Sequence, residues 1–155
     1  MAKTPRVAIL LGSKTDEGHL KATTDLLDRF QIDWELKVIS AHRQPEQLHE
    51  YVRAADAGGT LVFIAAAGLS AALPGVIGSL SQKPVVGLPI PGGALNGIDA
   101  LLSMVQMPGG IPVATVGVGS NGSKNAAILA AQIIALGDAK VAERLRTFRE
   151  EMRNG

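Results

Sequence analysis

The segment Val7-Ala8-Ile9-Leu10-Leu11-Gly12-Ser13-Lys14-Thr15-Asp16 runs five apolar residues into a glycine, two hydroxyls and an acid. An uninterrupted apolar run of that length, stopped by Gly, reads as a strand buried on both faces. Working outward, the pattern recurs. Thr60–Ala67 and Pro84–Pro89 are apolar throughout, and Pro112–Val118 gives a fifth candidate. Trp34, Leu36 and Val38 alternate with polar residues and predict a half-buried second strand. Between these runs the period changes to that of a helix. Leu20, Leu27 and Phe30 share one face of Glu17–Phe30. Pro45 opens a helix that turns Leu48, Tyr51, Val52 and Ala55 inward. Pro74–Leu80, Ile98–Val105, Ser123–Leu136 and Asp138–Met152 complete the set.

Five strands alternating with helices predict a parallel sheet covered on both sides. The expected fold is a three-layer α/β/α sandwich of flavodoxin-like type plus a C-terminal helix. With 155 residues, one domain spanning 1–155 is expected, its final helix at 138–153. On that helix Val141, Leu145, Phe148 and Met152 form one stripe. The stripe fits packing on its own domain and packing on a neighbouring subunit equally well.

Composition removes several functions. The 15 Lys+Arg nearly balance 14 Asp+Glu, so no polybasic arm for nucleic acid is present. There is no cysteine, hence no disulfide, thiol nucleophile or thiolate metal site. Three scattered histidines give no metal-ligand spacing, and His19 and His49 read as surface residues. Aromatics are 3% of the chain, too few to favour base or flavin stacking. The apolar run after Met1–Arg6 is too short for a signal peptide, and no run approaches the ~18 residues that cross a bilayer. A cytoplasmic protein with no membrane partner is expected.

In a doubly wound sheet the ligand sits beyond the carboxyl ends of the strands. The loops there are Gly12–Asp16, Ser40–Pro45, Ala67–Pro74, Pro89–Gly97 and Gly117–Ser123. The first offers hydroxyls, a helix start and an acid suited to a phosphoribosyl group. The same residues also suit an ordinary turn in which Ser13, Thr15 or Asp16 is an N-cap. Ser40-Ala41-His42-Arg43-Gln44-Pro45 adds a guanidinium for phosphate and an imidazole for proton transfer near neutral pH. Ala65–Gly75 carries no charge. Its small residues allow close approach to a ligand, or close helix–sheet packing. Gly117-Val118-Gly119-Ser120-Asn121-Gly122 has G-x-G-x-x-G spacing but follows the last strand, so it reads as a glycine-rich turn and not a dinucleotide fingerprint.

Taken together, Gly12–Asp16, Ser40–Pro45 and Val105-Gln106-Met107-Pro108-Gly109-Gly110-Ile111-Pro112-Val113-Ala114-Thr115 resemble the PurE family of purine biosynthesis. Asn125–Ala130 is similar to that family's last core helix, and the likeness runs over about residues 6 to 150. The resemblance implies conversion of N5-carboxyaminoimidazole ribonucleotide (N5-CAIR) to 4-carboxyaminoimidazole ribonucleotide, with no cofactor and no metal. It implies His42 as acid/base, Ser13, Ser40 and Arg43 on the phosphate, and Asp16 on the ribose. Gly68, Leu69, Ser70, Ala71 and Leu73 would complete the substrate wall. It further implies a homo-octamer with sites at subunit contacts, acting on an aminoimidazole ribonucleotide derivative and CO2. Arg43 resembles the mutase class; the animal-type carboxylase class tends to carry Lys there. Two positions depart from the pattern. Ala72 replaces a second active-site His, and Glu17 stands where Trp is common. A direct carboxylase using CO2 and an inactive nucleotide-binding module are the alternatives those departures leave.

Overall fold

The computed structural model describes residues 5–155; Met1–Thr4, the start of the expected 1–155 domain, lie outside the described residues. The strands are β1 (Val7–Leu11), β2 (Trp34–Val38), β3 (Val62–Ala67), β4 (Val85–Pro89) and β5 (Ala114–Thr115). The helices are α1 (Lys21–Arg29), α2 (Pro45–Gly58), α3 (Leu73–Leu80), α4 (Ile98–Val105), α5 (Ser120–Ala135) and α6 (Ala139–Asn154). All neighbouring strands are parallel, in the order β2-β1-β3-β4-β5. That is the flavodoxin-like order, with its switch point between β1 and β3.

The continuous apolar strands have a direct physical cause. Val7, Ile9 and Leu11 of β1 face Leu27, Phe30, Ala127, Ala130 and Val141, a layer built on α1, α5 and α6. Ala8 and Leu10 face the opposite layer, with Leu48, Val52, Leu73, Ile77, Ala100 and Met104 of α2, α3 and α4. Every residue of β1 and β3 is buried. No polar side chain could alternate there without losing its water.

The C-terminal helix packs on its own domain. Val141 and Leu145 are buried, and Phe148 meets Phe30 edge-to-face with centroids 5.5 Å apart. Arg29 lies over the Phe148 ring at 4.9 Å and pairs with Glu151. Met152, the fourth residue of the stripe, is left exposed. Asp138 caps the helix, accepting from the Lys140 and Val141 N–H groups at 2.9 and 3.1 Å, and pairs with Arg6 at 2.8 Å.

Several boundaries differ from expectation: β3 starts at Val62 and not Thr60, and α5 starts at Ser120 and not Ser123. The first helical segment starts as a 3-10 stretch, Lys14–Leu20, before α1. Its predicted inward face survives, with Leu20, Leu27 and Phe30 all buried. The fifth strand, expected over Pro112–Val118, forms ladder pairs with β4 at Ala114 and Thr115. Pro112 has no N–H to give to a ladder. Ile111 and Val113 instead pack toward Gly78 and Gly87, and Met107 toward Gly75. Of the alternating apolar residues on the edge strand β2, Trp34 and Leu36 are half-buried and Val38, at its carboxyl end, is exposed. Among the described residues no helix is long and apolar enough to cross a membrane.

Candidate active site

The loops after β1, β2, β3 and β4 converge on one cavity of about 660 Å³. It lies at the carboxyl ends of the strands, over the switch point. Ser13, Asp16, Ser40, His42, Arg43, Gly68, Leu69, Ser70, Ala71 and Leu73 all line it. Residues from three loops far apart in sequence are thereby placed on one surface.

Ser13 does two jobs. Its hydroxyl accepts from the Thr15 N–H at 3.4 Å and so caps the 3-10 segment. It also lies 2.8 Å from the Thr15 hydroxyl, which contacts Asp16 Oδ1 at 3.4 Å. The ordinary capping turn and the candidate ligand loop are therefore the same structure. The second loop is a tight turn, with the Gln44 N–H on the Ser40 carbonyl at 2.9 Å. The largely buried Ser40 hydroxyl accepts from the Arg43 N–H at 3.3 Å. Arg43 Nη2 donates to the Gly12 carbonyl at 3.3 Å, which holds the guanidinium across to the first loop. His42 is exposed within this turn, on the cavity lining.

The third wall is Ala67–Leu73. Ala67, Ala71 and Leu73 are buried, and no side chain of the wall ionises. Ala72, the position that departs from the resembled pattern, lines the cavity too. Asp16, Arg43 and the His42 imidazole therefore sit on one side, and a neutral wall on the other.

Ile90, Pro91, Gly92 and Gly93 also line the cavity; they belong to the Pro89–Gly97 loop expected at this rim, although none of them was assigned a role from the sequence. The available signal was their position after the fourth strand. Thr15, named only as a capping alternative, lines it as well. The Gly117–Gly122 segment does not line it, and only its first half is a turn, because Ser120, Asn121 and Gly122 already belong to α5. A Cβ on Gly122 would collide with the Gly117 carbonyl oxygen, so glycine is required there by close packing. Just beyond, Ser123 Oγ donates to the His19 carbonyl at 2.7 Å, and Thr23 Oγ1 stands 2.8 Å from Ser123 Oγ. That buried link fastens α5 to α1. His19 and His49 are exposed and lie outside the cavity.

The AIR carboxylase family profile matches residues 6–155. The chain belongs to the AIR carboxylase family. It is 51% identical over 149 residues to the N5-carboxyaminoimidazole ribonucleotide mutase of Pyrococcus abyssi, covering 96% of this chain and 84% of that one. It is 47% identical to the mutase of the same name from Saccharolobus solfataricus, covering 97% of this chain and 94% of that one. The crystal structure of Treponema denticola PurE, 31% identical, matches with a TM-score of 0.87 over 96% of this chain and 91% of that chain. The likeness to PurE accounts for the parallel five-stranded sheet and the helical layers on both its faces.

Proposed function

We infer that this chain is an N5-carboxyaminoimidazole ribonucleotide mutase, an isomerase of purine biosynthesis. The observation that carries the inference is a cavity uniting Arg43, His42, Ser13, Ser40 and Asp16 with a wall free of ionisable groups. The relatives bearing the mutase name support it over direct carboxylation and over an inactive binding module.

Arg43, Ser13 and Ser40 hold the phosphate. A guanidinium offers a planar fork of donors, and its tie to Gly12 fixes its direction before substrate arrives. Asp16 accepts from ribose hydroxyls. The carbamate N–C bond then breaks, the nitrogen keeping the electron pair and taking a proton from His42. This leaves aminoimidazole ribonucleotide and CO2 in the cavity. The ring carbon C4 attacks CO2, and its proton returns to His42, so protons and charge balance over the cycle. One imidazole serves both transfers, as acid and then base.

The neutral wall Ala67–Leu73 suits this order of events. It accommodates uncharged CO2, whereas an unpaired bicarbonate would lose its hydration there at a cost of several kcal/mol. Ala72 removes a polar anchor for the carboxylate and leaves His42 and the phosphate grip in place.

The rest of the proposal concerns context. The described residues form one domain of this family, acting in the cytoplasm as a homo-octamer. Self-association is supported by Ile98, Leu102 and Val105, exposed apolar residues on one face of α4. Native mass spectrometry reads the assembly directly. For the reaction, purified protein is offered N5-CAIR in one arm, and aminoimidazole ribonucleotide with bicarbonate in the other. Product from the carbamate is expected. Product in the bicarbonate arm with none from the carbamate refutes the mutase.

A further inference from the structure

Leu69 has φ +53, in the left-handed region that residues with a Cβ avoid. It occupies the first corner of the tight turn Gly68–Ala71, closed by the Ala71 N–H on the Gly68 carbonyl at 3.1 Å. A corner with positive φ normally takes glycine. The leucine side chain is 57% exposed, so burial gives little return for the strained backbone. It nevertheless has a defined seat. Gly93, in the loop after β4, has φ +64, and a Cβ placed on it would stand 2.6 Å from Leu69 Cδ2. Leu69 therefore reaches from the β3 loop onto the β4 loop, and both loops line the cavity. Glycine at 93 leaves the room that this contact needs.

A strained residue that persists without burial points to a role in the site it borders. We propose that Leu69, seated on Gly93, is the cover that retains freed CO2 between carbamate cleavage and attack by the ring carbon. This rests on the function proposed above. An isobutyl group neither donates nor accepts hydrogen bonds. It adds to the neutral wall of Ala67, Ala71 and Leu73, excludes water from it, and obstructs the exit of a small uncharged molecule. Leu69 thereby sets how the carboxyl group partitions between product and solvent.

The test uses N5-CAIR labelled at the carbamate carbon, with excess unlabelled bicarbonate and carbonic anhydrase to trap escaped CO2. The readout is label lost to bicarbonate against label delivered to the ring carbon, after subtracting enzyme-free decay. In Leu69→Gly the turn is relieved of strain, so the thermal midpoint stays at or above wild type. Its leak ratio rises roughly threefold or more, as removal of an apolar cover demands. Gly93→Ala, which displaces Leu69 without changing it, raises the ratio in the same direction. Leu69→Met, which keeps an apolar side chain of similar reach, stays near wild type. Should Leu69→Gly not melt cooperatively, Leu69→Ala carries the same measurement. Product formation with an unchanged ratio in the glycine or alanine variant overturns the cover alone. A wild-type protein that makes no product from carbamate overturns the mutase and the cover together.

Discussion

Replacing Arg43 by alanine tests how the nucleotide is held. The Arg43 guanidinium donates to the Gly12 carbonyl at 3.3 Å, and the Arg43 backbone N–H donates to Ser40 Oγ at 3.3 Å. It is thus oriented toward the cavity before ligand binds, and little ordering entropy is charged to binding. A hydrogen bond to a charged group contributes about 1.5–3 kcal/mol. Arg43 is exposed, so water screening favours the lower half of that range for a single contact. At about 1.4 kcal/mol per tenfold, one contact gives roughly a tenfold loss and a bidentate fork up to a hundredfold. The assay is calorimetric titration with aminoimidazole ribonucleotide and with its phosphate-free riboside. Arg43→Ala is expected to weaken the ribonucleotide by that factor and to leave the riboside unchanged. Arg43→Lys, which keeps charge and loses the fork, falls between. Equal losses for both ligands would refute the phosphate assignment.

His42→Asn is expected to lower kcat roughly 10²- to 10⁴-fold with ribonucleotide affinity nearly intact, the range of general acid–base catalysis; turnover within a few-fold of wild type removes His42 from the proton transfers. The Asp138 carboxyl is held below its ordinary value first by the Val141 N–H and then by Arg6. Its stabilisation is therefore present above the unfolded pKa of about 4 and is lost as pH falls through the lower folded value. Asp138→Ala lowers the thermal midpoint at pH 7, and the gap from wild type closes in acid; a gap that persists to low pH contradicts the assignment. Burial, with Glu35 accepting from the Tyr51 hydroxyl at 2.7 Å, pushes the phenol well above its ordinary value. That contribution is complete below about pH 10 and declines as pH rises toward the folded value. Tyr51 is the chain's single tyrosine, so absorbance titration at alkaline pH should show ionisation together with unfolding, and an ordinary midpoint in folded protein speaks against the half-buried Tyr51–Glu35 pair.

Much of the site was legible because sheet chemistry makes it so. A parallel strand delivers the residue after its carboxyl end to a common rim, whatever the intervening helix does. Ser13, Asp16, Ser40, His42 and Arg43 could therefore be grouped from the apolar runs preceding them. The loop holding Ile90–Gly93 was legible as part of the rim, but which of its residues reach the cavity was not. Those residues carry no ionisable side chain, and their role depends on where the β4 loop lies against the β3 loop. The resemblance to the family, and not spacing, identified Ala72 as a departure.

The sequence by itself determined the alternation of strand and helix, the parallel sheet and the rim on which the ligand loops meet. These follow from local patterns: continuous apolar runs where both sheet faces are covered, and helical periodicity where one face is. Tertiary structure alone decided the shortened β5, the seating of Leu69 on Gly93, and the destination of the final helix. Each depends on space left by residues distant in the chain. Ile111 and Val113 pack toward Gly78 and Gly87, Leu69 needs the missing Cβ of Gly93, and Phe148 needs the edge of Phe30. A periodicity records which side of an element is apolar; which partner fills that side is settled by shape, once the layers have come together.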